Sequence, residues 1–269
     1  MESTEELKAL KQENSKLKLE ARLRKSLASE LERQKSLVQE AKVEADAQRD
    51  KLQKASEQLS KYLSPQICEK IFSGAEFSSK SARKKLTIFF SDIVGFTTLS
   101  EQMEAEDLSS FLNFYLTNVC EIALKYGGTI DKFIGDSVMI FFGDPETAGE
   151  NKDALNCVKM AIEMQNTMKK LSIELMNDFN LSSPLNIRIG IHSGECTVGN
   201  FGSEKRLDYT VIGRTVNLAS RLESSSPVGQ ILVSEKTRSL ISDEIDCKKY
   251  DKIKVKGFKD NIGTFIPNF

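Results

Sequence analysis

Phe89-Phe90-Ser91-Asp92-Ile93-Val94-Gly95-Phe96-Thr97 decides how the rest of the chain is read. A β-rich run from Leu86 delivers one carboxylate, Asp92, at its end, and two apolar residues, Gly95 and a helix start follow. A strand end fixes a carboxylate in space, and a glycine lets backbone come close to a ligand. The free N–H groups of a helix's first turn accept anionic oxygens. Such a stretch suits a hard metal ion and a phosphate chain. Many α/β proteins carry an acid at a strand end, so the reading depends on what the chain supplies elsewhere.

The nearest candidate partner is Asp136, in Asp131-Lys132-Phe133-Ile134-Gly135-Asp136. Here strands over 129–134 and 137–142 are expected to join through a tight Gly-Asp hairpin. If this turn adjoins Asp92, the two acids form an all-oxygen site suited to Mg²⁺ or Mn²⁺. Aspartate also serves hairpin turns for their own sake. A third stretch, Arg214 to Arg221, puts Asn217 and Arg221 four apart on one helical face. An amide beside a guanidinium suits a ribose and a phosphate, and the alternative is a solvated polar face. Around these, residues 85–269 alternate strands and helices. The expected elements are a helix over 101–125, a second over 151–177, strands over 186–192 and 197–200 separated by a Ser193-Gly194 turn, and strands over 207–212, 231–234, 252–255 and 264–267. Helices are also expected over 215–223 and 235–241. With its central hairpin, this predicts an α+β, ferredoxin-like α/β sandwich.

The first part of the chain differs in kind. Residues 1–61 hold no Gly or Pro, and apolar residues recur every seven positions at Leu10, Leu17, Leu31, Val38, Ala45, Leu52 and Leu59, with Arg24 as the one break. A weaker seam runs through Leu27, Ala41, Ala55 and Tyr62. This predicts a coiled-coil helix over 1–63, about 90 Å long, that buries its seam on a second copy. Ser64-Pro65 ends it. A short amphipathic segment over 66–72 and a polar stretch make 64–84 a joint and linker, and 85–269 is the remaining domain.

Composition bounds the options. A net charge of −1 over 269 residues offers no basic face for nucleic acid. Five scattered cysteines without metal or redox spacing fit a reducing, cytoplasmic setting. No apolar run approaches the ~20 residues of a membrane span. The chain is expected to act in the cytoplasm, either alone or as the cytosolic part of a larger membrane-bound protein. His192, Cys196 and Cys247 read as packing or hydrogen-bonding residues rather than catalysts.

Four motifs together, Phe-Ser-Asp-Ile-Val-Gly-Phe-Thr at 90–97, Lys-Phe-Ile-Gly-Asp at 132–136, Arg-Ile-Gly-Ile-His-Ser-Gly at 188–194 and Tyr-Thr-Val-Ile-Gly with Val-Asn-Leu-Ala-Ser-Arg-Leu-Glu at 209–223, resemble the class III nucleotidyl cyclase catalytic domain in order and spacing. The helix ahead resembles a signalling helix. The resemblance implies that Asp92 and Asp136, with the Ile93 carbonyl, hold two divalent metal ions per site. It implies that Lys132 and Thr210 read the purine, that Asn217 orients the ribose, and that Arg221 stabilises charge on the α-phosphate. Arg188 and Lys256 would contact the terminal phosphates, with Lys254 and Lys259 near the latter, and Phe96 and Thr97 would open the phosphate turn. Lys with Thr, where guanylyl cyclases typically carry Glu and Cys, points to ATP. A lysine donates to adenine N1, whereas guanine N1 carries a proton. Arg214 stands where relatives often have Asp. The site would lie between two subunits of a homodimer, switched by helix register or rotation under an upstream sensor. The rival readings are a guanylyl cyclase and a non-catalytic nucleotide-binding module.

Overall fold

The structure, a computed structural model, describes residues 2–72, 81–179, 181, 183–254 and 261–269. The chain divides into two units, Met1–Tyr62 and Leu63–Phe269. The first is one helix, α1 (Glu2–Leu59). Its heptad residues Leu10, Leu17, Leu31, Val38, Leu52 and Leu59 are each more than half exposed. The seam, broken only at Arg24, is thus an apolar stripe that its own unit leaves in water.

The second unit begins with α2 (Pro65–Phe72), which buries Ile67 and Cys68 and is tied down by Gln66 Nε2 donating to the Gly128 carbonyl at 3.0 Å. There follow β1 (Ala82–Ile93), α3 (Phe96–Gln102), α4 (Ala105–Lys125), β2 (Thr129–Ile134), β3 (Ser137–Phe142) and α5 (Glu150–Asp178). The order continues with β4 (Ile187–Ser203), β5 (Arg206–Ile212), α6 (Arg214–Ser225), β6 (Ile231–Ser234), α7 (Glu235–Ile241), β7 (Cys247–Ile253) and β8 (Ile262–Pro267). The strands form one sheet in the order β2-β3-β1-β4-β6-β8-β7, with β5 paired to β4 as an arm off that path.

The central strands are apolar on both faces because both faces are covered. On one side Phe89, Ile93 and Ile140 pack with Phe111, Tyr115 and Val119 of α4 and Val158, Ala161 and Met164 of α5. On the other, Leu86, Ile88, Phe90, Met139 and Phe141 meet Val198, Val211 and Ala219, from β4, β5 and α6. This is the period-two alternation of a strand carried through the middle of a sandwich. The expected mixed α+β architecture with a long N-terminal helix is what the chain adopts.

Several local expectations give way. The helix expected over 101–125 is two helices, parted at Met103 and Glu104, both extended. Glu106 and Asp107 open the second, where negative charge favours a helix N-terminus. The turn expected at Ser193-Gly194 is absent, and β4 runs straight through it, pairing Ser193 with Thr87 and Gly194 with Leu86. Gly194 meets a need for space instead, since a Cβ there would come within 2.9 Å of Thr215 Oγ1. β1 reaches back to Ala82, inside the segment expected to be linker, because its exposed first four residues still have β4 to pair with. β7 lies earlier than expected, at Cys247–Ile253. The linker residues 73–80 and the end of the expected 252–255 strand, Val255, lie outside the described residues.

Candidate active site

The strand register builds the acid end. In the β1–β4 ladder Asp92 lies directly opposite Arg188, and Arg188 Nη2 stands 3.3 Å from Asp92 Oδ2. The β2–β3 hairpin turns at Gly135 and Asp136, with Gly135 at φ 66°, a left-handed conformation that favours glycine. The turn delivers Asp136 to the end of β1, where its Oδ2 accepts the Ile93 N–H at 2.9 Å. Burial, and then the neighbouring Asp92, push the Asp136 carboxyl up to about 6, against the pull of the Ile93 N–H. A third acid, Glu223 near the end of α6, has its Oε1 3.8 Å from Arg188 Nε, and neither atom has a hydrogen-bond partner. Burial and the charge of Asp92 push Glu223 up to about 7.

Two carboxyls, Asp92 and Glu223, thus flank the Arg188 guanidinium, and a third, Asp136, lies beside Asp92. Like charges this close disfavour joint ionisation unless a cation compensates. The donors are all oxygen, which fits a hard divalent ion. Among the described residues no group of three His, Cys, Asp or Glu side chains forms a complete cage. The pair Asp92–Asp136 therefore fits a Mg²⁺-type ion that draws its other ligands from backbone, water or a bound phosphate.

Beyond Ile93, Gly95 adopts φ 77° and caps α3. Phe96 packs into the main core, so its backbone N–H and not its ring is what a ligand can meet, whereas Thr97 is exposed. The Ile93 side chain is buried, leaving only its backbone for any ligand role.

A second cluster forms at Asp131. Its Oδ2 accepts the Thr210 hydroxyl at 2.9 Å and lies 3.5 Å from Lys132 Nζ. Lys132 and Thr210, far apart in sequence, are thereby brought to one carboxylate. Burial raises the Asp131 carboxyl, opposed by the Thr210 hydrogen bond and by Lys132. Next along β5, Tyr209 donates to Asp144, which also pairs with Lys84. In register Thr210 faces Gly199, far along β4 from Arg188.

α6 lies hard against the sheet because Gly190 has no side chain. A Cβ there would come within 2.0 Å of the Glu223 nitrogen and 2.5 Å of the Ala219 carbonyl oxygen. Leu218, Ala219, Leu222 and Glu223 face inward, and Asn217 and Arg221 are exposed together on the outer face. Glu223 follows Arg221 by about 200° of helical turn. The side of α6 that meets the acid end is thus nearly opposite the side that carries Asn217 and Arg221. Among the described residues neither makes a hydrogen bond or ion pair with Asp92 or Asp136. The structure brings together Asp92, Ile93, Asp136 and Arg188, and separately Lys132 and Thr210. Asn217 and Arg221 are left facing outward. Lys256 and Lys259 lie outside the described residues.

His192 hydrogen-bonds Ser234 Oγ through Nδ1 at 2.7 Å, and burial lowers it to about 4, so it is neutral at ordinary pH. Cys196 is buried in the core between β4 and α6. Asp131 and Glu223 were not singled out from sequence. Asp131 had one signal, two adjacent charged residues inside a strand, and Glu223 had none beyond its place on the inward face of α6.

The two-sided sheet, the paired acids at the end of β1 and the close α6 define a class. The chain belongs to the adenylate and guanylate cyclase catalytic domain family, whose model matches residues 79–268. It is 36% identical over 187 residues to the terminal-differentiation-specific adenylate cyclase of Dictyostelium discoideum, covering 68% of this chain and 8% of that protein. It is 36% identical over 210 residues to an adenylate cyclase of Anabaena cylindrica, covering 76% of this chain and 39% of the relative. The chain thus spans well under half the length of these relatives. Among solved structures it is similar to the adenylyl cyclase CyaB from P. aeruginosa, with 55% identity, a TM-score of 0.68, and coverage of 71% of this chain and 96% of that one.

Proposed function

We propose that the chain is an adenylyl cyclase that converts ATP to 3′,5′-cyclic AMP and pyrophosphate at sites formed between two copies. The ribose 3′-oxygen bonds to the α-phosphorus as the bond from that phosphorus to the β-phosphate bridge breaks. Asp92 and Asp136, with the Ile93 carbonyl, would hold two Mg²⁺ or Mn²⁺ ions. When bound, such ions offset phosphate charge and lower the pKa of the 3′-hydroxyl. Arg188, opposite Asp92, would meet the terminal phosphates, and Lys256 belongs to the same proposed role. The N–H groups of Phe96 and Thr97 open the turn beneath the phosphates. Asn217 orients the ribose and Arg221 stabilises the charge that grows on the α-phosphate.

The observation that carries ATP rather than GTP is the convergence of Lys132 and Thr210 on one carboxylate, a donor and a hydroxyl side by side. Likeness to adenylyl cyclases supports the same reading. The outward face of Asn217 and Arg221 supports a site completed by a second copy, and the bare heptad stripe of α1 supports a coiled coil that raises that copy's effective concentration. Helix register or rotation, set by an upstream sensor, is then the natural control.

The test is to incubate the protein with ATP and with GTP, each with Mn²⁺ or Mg²⁺, and to identify products by mass spectrometry. Cyclic AMP from ATP, abolished by chelator and restored by metal, is expected. Preferential turnover of GTP to cyclic GMP would make it a guanylyl cyclase, and no product from either nucleotide would leave a non-catalytic module.

A further inference from the structure

Asp131 is assigned no contact with the nucleotide, yet both proposed base contacts lie against it. It is the extra residue of a β-bulge. Ile130 pairs with Ile140 and Lys132 with Met139, which leaves Asp131 without a partner across the ladder. Strict strand alternation would send neighbouring side chains to opposite faces, and the bulge breaks that alternation. The Asp131 side chain is fully buried, its Oδ1 has no hydrogen-bond partner, and its Oδ2 takes the Thr210 hydroxyl at 2.9 Å with Lys132 Nζ at 3.5 Å.

The direction of the Thr210 bond carries the inference. A carboxylate only accepts, and a threonine hydroxyl has one proton to give. With that proton committed to Asp131, Thr210 can offer a third group only its lone pairs. Lys132 offers only protons. The pair therefore presents one acceptor and one donor in fixed roles.

We propose that Asp131 is a positioning residue that locks the Thr210 hydroxyl as an acceptor and so makes the base pocket select a 6-aminopurine over a 6-oxopurine; this rests on the reading of Lys132 and Thr210 as base contacts. Adenine shows a donor at its 6-amino group and an acceptor at N1, which match Thr210 and Lys132 respectively. Guanine shows an acceptor at O6 and a proton at N1 and mismatches both. Without Asp131 the Thr210 hydroxyl is free to rotate and donate to O6, and half of the discrimination goes. A residue that only held β5 against β2 would instead affect both nucleotides alike.

The experiment measures kcat/KM for ATP and GTP with the full chain and Mn²⁺, for wild type, Asp131→Ala, Thr210→Val, Lys132→Ala and the Asp131→Ala, Thr210→Val double variant. Losing a directed hydrogen bond to a base is worth about tenfold. Asp131→Ala is expected to lower the ATP-to-GTP ratio by about tenfold, chiefly through a higher KM for ATP. Thr210→Val is expected to lower the ratio as well, and adding Asp131→Ala to it should change the ratio no further. If the Ala variant does not fold, as judged by its circular dichroism melt, Asp131→Asn carries the test, because its amide can donate to Thr210 and release the hydroxyl proton; the ratio should fall in the same direction. An unchanged ratio in the Asp131 variants, with both nucleotides slowed together, overturns the proposal while leaving the base reading intact, provided Thr210→Val and Lys132→Ala shift the ratio. If those two leave the ratio unchanged, the base reading itself is wrong and the proposal falls with it.

Discussion

The acid end of the site and the outer face of α6 are built in opposite ways. Asp92, Asp136 and Arg188 are tied to one another and to backbone within one chain: a ladder register, a hairpin turn and a hydrogen bond from Ile93. Asn217 and Arg221 have a rigid platform beneath them and nothing in front. The first arrangement gathers charge and waits for a cation. The second offers polar groups to something outside the chain. In the proposed reaction, which needs both, a second copy's α6 would come to the first copy's acids. α1 repeats the contrast at larger scale, as a helix whose apolar stripe has no cover in its own unit.

The largest effect is expected from removing an acid. Asp92→Ala should cut cyclic AMP formation by roughly a thousandfold or more, the value of several kcal/mol of charge stabilisation, while the dimer persists in light scattering. Wild-type turnover by this variant would break the acid half of the comparison. Next, Gly190→Ala attacks the contact that holds α6 in place. A Cβ 2.0 Å from the Glu223 nitrogen cannot be accommodated by a side-chain shift alone. A loss of at least ~3 kcal/mol in denaturant unfolding is expected, and an unchanged midpoint would show that α6 is free to move. Arg221→Ala should lower kcat by about a hundredfold with little change in stability, since Arg221 is exposed. A matching drop in melting temperature would make it structural instead. The smallest effect is expected from deleting residues 1–62. Activity should fall by roughly tenfold in dilute solution and recover as protein concentration rises, as expected if the helix supplies proximity rather than chemistry. Concentration-independent loss would mean that α1 does more than hold copies together.

What could be read from the sequence tracks how local each feature is. Asp92 and Asp136 were legible because each sits at a strand end or a turn, where a short stretch fixes the geometry. The heptad of α1 and the core of β1 were legible because periodicity is a local property. Gly194 was misread as a turn because a glycine needed for space beside Thr215 looks the same in sequence as one needed for a bend. The break at Met103 lay hidden in an otherwise helical pattern. Asp131 was out of reach because strand alternation places it opposite Lys132, and the bulge that overturns this depends on how β2 meets β3. Glu223 meets Arg188 only after α6 has docked on Gly190, a contact between stretches over thirty residues apart. The outward orientation of Asn217 and Arg221 needed the docked face of α6 to be known as well.

The central claim is that acids from one copy work with Asn217 and Arg221 from another, and complementation tests it most directly. Asp92→Ala and Arg221→Ala chains are co-expressed and the purified mixture is assayed for cyclic AMP formation. Random pairing makes half of the dimers mixed, each with one intact site of two, so recovery to about one quarter of wild-type activity is expected from two nearly inactive parents. A mixture no more active than either variant alone would contradict the account and put all four residues in one chain's site.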